Sequence, residues 1–371
     1  MSAVTTARKL ASIQRIKALD PIPAADAIER ATILGWQLVV KRGEFAVGDL
    51  CVYCEIDALL PARPAFEFLR PRKFIVRTVR LRGQISQGIC FPLAILPPGT
   101  PIAEGADVTA ALGVVKYEPP LPAHFAGQAK GPLPRFIPKT DETRVQVLEE
   151  VLARHRGTTF ATTEKLDGTS MTCYLRDGVF GVCSRSLDLV ESAENLFWQA
   201  ARRYGVEEKL RALGGNVAVQ GELVGEGIQK NRLGLRGVQF FLFSIFDIDR
   251  YAFRDVAAFV TTARALDLPT VPLVDASFAL ADDLGVPELV QRVWYFSGVS
   301  PHDFPALSPR ILPRYSERAV LVAHAVGRSA LNSAVWREGL VFRPLIETTD
   351  PDLGRLSFKA INPEYLLKHG E

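Results

Sequence analysis

A lysine followed closely by an aspartate and a glycine is the first feature of this sequence that could carry chemistry. Lys165, Asp167 and Gly168 stand in the order K-x-D-G at the end of an apparent strand. A lysine amine attacks phosphorus only when it is neutral, and its ordinary pKa is about 10.4, so neighbouring cations or a metal ion must lower that pKa. A tetrapeptide of this kind also arises by chance, so a surface turn is the competing interpretation.

Further segments follow Lys165 in an order suited to binding a nucleotide. Each contains a cation, a carboxylate or an aromatic side chain that could contact phosphate, sugar or base. The segments are Ser184-Arg185, Gly221-Glu222-Leu223, Phe243-Ser244-Ile245-Phe246-Asp247-Ile248, Glu338-Gly339-Leu340-Val341-Phe342-Arg343-Pro344 and Ser357-Phe358-Lys359. Their order favours a nucleotide site over an isolated surface turn.

The order and spacing of these segments resemble the motifs of the covalent nucleotidyltransferase superfamily, which holds RNA ligases, DNA ligases and mRNA capping enzymes. Residues 221–230 resemble the RNA ligase form of one motif, and residues 138–146 resemble a segment of the Naegleria-type RNA ligases, which carry an N-terminal OB domain. The resemblance spans essentially the full chain. It implies an ATP-dependent RNA ligase that joins 5′-phosphate and 3′-hydroxyl ends through a lysyl-AMP and an RNA-adenylate intermediate, in RNA repair.

The resemblance also implies a role for each matching residue. Lys165 is the implied nucleophile, and Lys359 is the implied contact to the AMP phosphate, where its like charge would lower the pKa of Lys165. The implied nucleotide-binding residues are Lys165, Asp167, Gly168, Arg185, Glu222, Phe246, Glu338, Lys359 and Arg144. Asp167, Glu222 and Glu338 are also expected to serve Mg²⁺ or Mn²⁺ through water.

Two of these residues have a structural alternative. Phe246 is expected to stack on adenine, but an aromatic residue before Asp-Ile in a strand also packs in a core. Arg185 is expected to contact the nucleotide phosphate or the RNA end, and the alternative is a solvated arginine. Glu222 is expected to hold the ribose hydroxyls or the water shell of the metal.

The sequence departs from the RNA ligase pattern at two positions. Ser357 stands where these enzymes commonly have a second lysine, and Arg343 stands where a lysine is frequent. The number of cations near the phosphate is therefore expected to be lower than usual. Arg355 or Arg144 could compensate.

The elements that must position these residues fall into an α+β arrangement of two domains. Strands are predicted at residues 36–41, 50–56, 74–81 and 88–93, and their short spacing suggests a five-stranded OB-type barrel over residues 1–115. Prolines at six positions mark residues 116–138 as a linker. Residues 139–371 are expected to form a mixed α/β nucleotidyltransferase domain with antiparallel sheets, including helices at 145–154 and 188–203.

Charge and cysteine content set the broad class. The net charge of +3 permits nucleic-acid binding, and the basic stretch from Arg70 to Arg82 is either a solvated strand face or a phosphate-tracking surface. Five cysteines form no disulfide framework, and Cys51 and Cys54 are expected to be strand residues rather than a metal site. The absence of a signal peptide and of an apolar run long enough to span a membrane predicts a cytoplasmic protein that has no membrane partner. The resemblance implies RNA, as free ends or a nicked duplex, as the partner, and the protein is expected to be a monomer.

Two questions stay open at this level. After Lys359 only 12 residues remain, which is too few for the C-terminal OB domain of DNA ligases and capping enzymes and favours an RNA ligase. A non-catalytic RNA-binding protein with a decayed ligase fold is the alternative function. The N-terminal domain is expected either to close over the β- and γ-phosphates of ATP, with Arg144 or the Arg70–Arg82 stretch, or to hold RNA.

Overall fold

The structure is a computed structural model that describes residues 8–117, 129–280, 321–322 and 324–369. Residues 118–128 of the predicted proline-rich linker lie outside the described residues. None of the helices in these ranges has the length and apolar character needed to cross a bilayer.

The first part of the chain consists of short antiparallel strands. Its strands are β1 (Ala11–Arg15), β2 (Ala18–Ile22), β3 (Ala25–Ile33), β4 (Trp36–Lys41), β5 (Leu50–Cys54), β6 (Ala58–Leu59), β7 (Val79–Leu81), β8 (Gln84–Ser86), β9 (Ile89–Phe91) and β10 (Val115–Lys116), with helix α1 at Thr109–Leu112. They pair in the orders β1-β5-β9, β2-β3-β4, β7-β8 and β10-β6. Trp36 and Tyr53 are buried at the centre of this region. Cys51 and Cys54 are buried free thiols of β5, as expected for strand residues.

The second part contains two large sheets. Its strands are β11 (Ala129–Pro132), β12 (Thr143–Arg144), β13 (Thr159–Lys165), β14 (Thr169–Arg176), β15 (Val179–Ser184), β16 (Leu187–Leu189), β17 (Val217–Gly225), β18 (Val238–Asp247), β19 (Ala252–Phe253), β20 (Leu273–Ala279), β21 (Gly339–Pro344), β22 (Thr349–Asp350), β23 (Gly354–Arg355) and β24 (Phe358–Ile361). Its helices are α2 (Glu149–Arg154), α3 (Leu196–Arg203), α4 (Val206–Leu213), α5 (Val256–Ala265) and α6 (Pro363–His369).

One sheet has the order β11-β16-β15-β14-β17-β18-β19 and the other β12-β24-β21-β13-β20. The predicted antiparallel pairing is confirmed throughout except between β12 and β24, which are parallel.

Strand alternation sends two kinds of side chain to opposite faces of the five-stranded sheet. In β13, Phe160 packs against Phe342 and Phe358 in a buried aromatic cluster on one face of the sheet. Because side chains alternate along a strand, the residues next to Phe160 point to the opposite face. Lys165 lies on that second face, and β24 places Lys359 on it as well. The apolar face therefore anchors the sheet, and the opposite face presents the cations.

Helix α6 connects the two parts of the molecule. Its residues Tyr365 and Leu366, with Ile361 just before it, belong to the hydrophobic core formed by β1, β4 and β5. Arg80 of β7 also forms a 2.6 Å ion pair with Glu364 of this helix. The end of the chain thus packs against its beginning.

Three predicted elements differ in extent from the structure. The predicted strand 74–81 is a strand only from Val79, because a 3₁₀ helix at Pro64–Arg72 ends in Lys73 and Phe74, which both have positive φ. The helix predicted from residue 188 begins at Leu196, since Asn195 caps it through hydrogen bonds from Phe197 and Trp198. The helix predicted at 145–154 begins as a 3₁₀ turn and becomes α-helical at Glu149.

Candidate active site

The amine of Lys165 is held by a carboxylate from the neighbouring strand. Lys165 ends β13, and its Nζ donates to Glu338 Oε1 at 2.6 Å. The two residues lie next to each other because Lys165 pairs with Gly339, the first residue of β21. Burial alone would lower the pKa of Lys165, but the charges of Glu338, Glu222 and Asp167 raise it above the ordinary lysine value. The lysine is therefore a cation in the ligand-free protein.

This result corrects the expectation that Lys359 lowers the pKa of Lys165. Instead, burial together with the charges of Lys165 and Arg144 lowers the pKa of Lys359 to about 7. Lys359 has no carboxylate partner in the part of the chain that the structure describes, whereas Lys165 is surrounded by carboxylates. The repulsion between the two lysines therefore lowers the pKa of Lys359, which forms no ion pair with a described residue, rather than the pKa of Lys165.

Glu222 approaches the site from the seven-stranded sheet. It lies in β17 opposite Ser170 of β14, and burial, with Glu338 and Asp167 as like-charged neighbours, raises its pKa to about 8. Gly168 allows this approach, because a Cβ at that position would lie 2.3 Å from the carbonyl oxygen of Leu223. The glycine of the K-x-D-G segment is therefore required for close contact between two strands.

Arg144 lies beside Lys359 and also contacts the N-terminal region. The parallel pairing of β12 and β24 places Arg144 in register with Lys359. Its Nη2 donates to Asp57 Oδ2 at 3.1 Å, and its Nη1 is buried without a hydrogen bond. Asp57 also accepts from Arg8 at 3.1 Å. The two arginines and Lys359 lower the pKa of Asp57, although burial opposes them, so this carboxylate is ionised.

Asp167 is held by two residues that the sequence analysis did not single out. Arg232 Nη1 lies 3.5 Å from Asp167 Oδ2 and donates to the hydroxyl oxygen of Tyr365 at 2.6 Å. The Tyr365 hydroxyl hydrogen-bonds to Asp167, and burial, with the charges of Glu338 and Asp167, raises the pKa of Tyr365. Tyr365 is on α6, so its position depends on packing between distant segments and leaves no local signal in the sequence.

Arg185 lies at the rim of the site. Its side chain is about half exposed, and its Nη2 contacts both oxygens of Asp141 at 2.7 and 3.0 Å. Burial would raise the pKa of Asp141, but Arg185, Lys359 and Lys116 lower it. Arg185 is thus close enough to the basic residues of the site to meet an entering anion, and its contact with phosphate or RNA stays a prediction.

Phe246 does not present an open ring in this structure. It is 1% exposed and packs in a cluster with Tyr174, Ala218 and Ile137, which fits the core alternative. Its stacking on adenine stays a prediction that requires a neighbouring side chain to move. The pairing of β17 with β18 has a β-bulge: Gln220 pairs with Ser244 and Gly221 with Leu242, which leaves Phe243 unpaired. Phe243, three residues before Phe246, lines a separate cavity.

That space is a cavity of about 660 Å³ between the two sheets and α5. Thr163, which shares a face of β13 with Lys165, lines it together with Phe243 and Arg343. Arg343 donates to the carbonyl oxygen of Phe243 at 3.0 Å and to Glu142 at 3.1 Å. The volume is typical of a small-molecule site.

The positions that depart from the RNA ligase pattern are buried. Ser357 is 3% exposed, and its Oγ has no hydrogen-bond partner among the described residues. Of the two arginines considered as compensation, Arg355 pairs with Glu347 at 2.7 Å, whereas Arg144 lies beside Lys359. Arg144 is therefore the better placed of the two to supply a second cation.

The carboxylates do not form a direct metal cage. Within the ranges that the structure describes, no three His, Cys, Asp or Glu residues converge closely enough to hold an ion by themselves. Glu338 Oε2, however, is buried without a hydrogen bond, and Glu222 has a raised pKa because of its acidic neighbours. Both features are compatible with carboxylates that face a hydrated cation, and contact with a metal through water stays a prediction.

Comparison with known families gives two matches along the chain. A family described as an OB-fold domain matches residues 10–93, and a family described as RNA ligase matches residues 158–361. These matches confirm an N-terminal OB-fold domain followed by a ligase domain. A comparison with curated protein sequences gave no match.

Among solved structures, the chain is similar to several of Naegleria gruberi RNA ligase. They include one variant with AMP and Mn and another with ATP and Mn, each with a TM-score of 0.82, and the enzyme with PPi, with a TM-score of 0.80. In all three the sequence identity is 36%, and the alignment covers 98% of this chain and 99% of the other.

Proposed function

This chain belongs to the RNA ligase family, and we propose that Lys165 is the residue on which it carries AMP. It is an ATP-dependent RNA ligase that joins 5′-phosphate and 3′-hydroxyl ends. The observation that supports this assignment of Lys165 is its position, with carboxylates around its amine and the cations Lys359 and Arg144 nearby. An attacking amine and groups that bind phosphate thus lie side by side.

In the first step, Lys165 Nζ attacks the α-phosphorus of ATP. A nitrogen–phosphorus bond forms, the bond to the β-phosphate oxygen breaks, and pyrophosphate leaves. The amine must lose a proton, and Glu338 Oε1, at 2.6 Å, is the nearest acceptor. Lys359 and Arg144 stabilise the negative charge that develops on the phosphate oxygens.

Asp167, Glu222 and Glu338 would hold Mg²⁺ or Mn²⁺ through water. The solved structures of the Naegleria enzyme contain Mn with ATP or AMP, and the unsatisfied Glu338 Oε2 fits such an ion here. When bound, a divalent cation neutralises phosphate charge and lowers the pKa of a nearby amine. It would also compete with Lys165 for the carboxylates that keep the lysine protonated.

Two further steps complete ligation. The 5′-phosphate of RNA attacks the phosphorus of lysyl-AMP, and Lys165 leaves as an amine. The 3′-hydroxyl then attacks the 5′-phosphate of the RNA-adenylate, a phosphodiester forms, and AMP leaves. The first of these steps moves phosphorus from nitrogen to oxygen and the second from one oxygen to another. Both develop negative charge on the phosphate oxygens, so they require the same cations around the phosphate.

The division of the chain follows from these roles. We assign residues 1–115 to the OB-fold domain and 139–371 to the nucleotidyltransferase domain. Of the predicted linker, 116–138, strand β11 already pairs with β16 in the seven-stranded sheet, so the nucleotidyltransferase domain includes residues 129–132 as well. The hydrogen bond between Asp57 and Arg144 brings the OB-fold domain to the phosphate end of the site, which supports its closing over the β- and γ-phosphates. We also propose that the enzyme acts in RNA repair as a monomer, and the five free thiols support a cytoplasmic location.

Incubation of the purified protein with ATP radiolabelled at the α-phosphate tests the function. Stoichiometric covalent labelling in the presence of Mg²⁺ or Mn²⁺ is expected for the wild type, and none for Lys165→Ala, because we assign AMP to Lys165 and only a phosphate contact to Lys359. Lys165→Ala should still seal an RNA end that already carries AMP. Labelling of Lys165→Ala to the wild-type level would show that another residue carries AMP.

The alternative, a non-catalytic RNA-binding protein, predicts no labelling of the wild type. Labelling by GTP or NAD in place of ATP would instead indicate a sister class of nucleotidyltransferase. The nearness of Lys165, Glu222, Glu338 and Lys359 in one site speaks against decay, since a decayed site has no reason to keep them together.

A further inference from the structure

A second cleft lies on the surface where the N-terminal region meets helix α6. It has a volume of about 640 Å³ and is open to solvent on one side. Two different parts of the chain form its walls. The lining residues are Arg72, Thr78, Val79 and Arg80 on one side and Trp336, Glu364, Leu367 and Lys368 on the other.

Two of the three cations that line this cleft, Arg72 and Lys368, have no acidic partner among the described residues. Glu364 is the one acidic lining residue, and it is already paired with Arg80 at 2.6 Å. Arg72 and Lys368 form no ion pair with any residue that the structure describes. By contrast, Arg70, two residues from Arg72, is paired with Glu67 at 2.6 Å. The cleft therefore carries an excess of positive charge that could meet an anionic ligand.

An aromatic platform accompanies these charges. The guanidinium of Arg328 lies 3.9 Å from the centre of the Trp336 ring. Indole rings and guanidinium planes are surfaces on which nucleic acid bases stack. Cations that lack partners, next to a stacked Trp–Arg pair, are a combination that suits single-stranded or end-frayed RNA better than a protein partner.

The cleft also lies close to the reaction centre. Trp336 is two residues from Glu338, so the Cα atoms of Trp336 and Glu338 are at most about 7 Å apart. Glu338 in turn accepts a hydrogen bond from Lys165. Glu364 precedes Tyr365, whose hydroxyl contacts Arg232 beside Asp167.

We propose that this cleft binds the RNA strand next to the reacting end, with Arg72 and Lys368 on its phosphates and Trp336 with Arg328 beneath a base. The proposal rests on the RNA ligase function stated above. The proposal assigns the basic residues between Arg70 and Arg82 to two separate places. Arg72 lines the cleft. Arg77 lies over the ring of Tyr117, next to Asp57 and Arg144. RNA binding and closure over ATP would then use different residues of the same region.

The test compares two double variants that each remove two positive charges. Arg72→Ala with Lys368→Ala changes the cleft, and Lys41→Ala with Arg250→Ala changes exposed cations that do not line it. Binding is measured with RNA whose 5′ end carries AMP and whose 3′ end lacks the hydroxyl. The probe is the nicked duplex or the single strand, whichever the wild type seals faster.

We expect the cleft variant to bind this RNA about tenfold more weakly and the slope of log affinity against log salt to fall by about 1.4 to 1.8, since each lost phosphate contact contributes about 0.7 to 0.9. The control should match the wild type. Equal affinity and slope for the two double variants would overturn the proposal. So would an equal loss of ATP labelling and RNA binding in the cleft variant, because that would indicate damage to the fold or to the ATP site.

Replacing Trp336 separates stacking from charge. Trp336→Phe keeps a ring that can stack, whereas Trp336→Ala removes it, so only the alanine variant should weaken RNA binding by about tenfold. A wild-type affinity for Trp336→Ala would show that no base lies there. Failure of the wild type to label with ATP would instead contradict the proposed function and leave RNA binding by the cleft as a separate result.

Discussion

The two halves of the active site treat a buried lysine in opposite ways. On one side, Lys165 is surrounded by Glu338, Glu222 and Asp167, which raise its pKa and keep it charged. On the other side, Lys359 lies beside Arg144 without a carboxylate of its own, and burial with these cations lowers its pKa to about 7. The acidic half has more negative charges than its one lysine can balance, whereas in the basic half Arg144 is paired with Asp57 and Lys359 forms no ion pair with a described residue.

This difference indicates what each half lacks before the substrate binds. Phosphate groups of ATP would supply the negative charge that the basic half needs, and a hydrated divalent cation would satisfy the acidic half. The ligand-free enzyme therefore holds Lys165, the proposed nucleophile, in an unreactive, protonated form. Binding of the metal and the nucleotide together would release the amine at the place where the phosphorus arrives.

Removing charge from the acidic half should have the largest effect. Glu338→Gln and Glu222→Gln each keep the size of the side chain but remove a carboxylate that the metal and Lys165 share. We expect each to slow covalent labelling with ATP by about 10²- to 10³-fold, the range for loss of one preorganised electrostatic contact. Rapid-quench measurement of lysyl-AMP formation gives these rates.

Glu226→Gln is the matched control for these variants. Glu226 is an exposed carboxylate four residues beyond Glu222, and its loss should change the rate by no more than about twofold. If Glu338→Gln labels as fast as Glu226→Gln, the carboxylates are not needed for adenylation, and the contrast between the two halves has no catalytic meaning.

The basic half predicts a proton uptake when ATP binds. At pH 8, above its pKa of about 7, Lys359 is mostly neutral in the free protein. A triphosphate beside it favours the charged form and raises this pKa, so binding should take up as much as about one proton. Calorimetry of ATP binding without metal, in two buffers of different ionisation enthalpy, measures the uptake.

Lys359→Met should lose most of this uptake, whereas Lys41→Met, at an exposed position, should retain it. Uptake falls as the pH is lowered below about 7, because Lys359 is then already charged before ATP arrives. Equal uptake by the two variants, or proton release by the wild type, would show that the low pKa of Lys359 does not govern ATP binding.

The sequence predicted the chemistry of the site better than its electrostatics. Lys165, Glu222, Glu338 and Lys359 are far apart in the chain, and only their resemblance to ordered motifs indicated that they belong to one site. The shift in the pKa of Lys165 could not be predicted in the same way, because its direction depends on distances between charged groups on three strands. The expectation that Lys359 lowers it used the correct pair of residues but assigned the shift to the wrong one.

Local sequence patterns predicted strand bounds well where burial alternates along the strand. They predicted helix bounds less well, because capping or long-range packing determines where a helix begins. Strand β4 was predicted with its observed bounds, since its apolar residues are bounded by turn residues. The helix starting at Leu196 was predicted too early, because the apolar residues of β16 continue its periodicity. Packing of α6 into the N-terminal core joins residues more than 300 positions apart, and no local pattern could reveal it.

Tyr365 is the place where that long-range packing reaches the acidic half. Its ring is 2% exposed in the N-terminal core, while its hydroxyl accepts from Arg232 at 2.6 Å and hydrogen-bonds to Asp167. Asp167 is thus oriented by a residue outside both large sheets. A deletion of the N-terminal domain would uncover Tyr365, Leu366 and Ile361, so a single substitution is the sharper test of this connection.

The smallest effect is expected from Tyr365→Phe, which keeps the ring in the core and removes only the hydroxyl. Loss of one hydrogen bond to a charged group should slow lysyl-AMP formation about fivefold to tenfold through kcat, with the KM for ATP nearly unchanged. Tyr204→Phe also removes a buried contact, a hydrogen bond from the Phe240 amide at 3.3 Å, but outside the site, and should leave the rate unaltered. Thermal unfolding separates the two explanations: if Tyr365→Phe unfolds at the wild-type temperature and still slows adenylation, the hydroxyl positions Asp167. If both tyrosine variants have wild-type rates, the hydroxyl does not position Asp167, and Tyr365 only packs in the core.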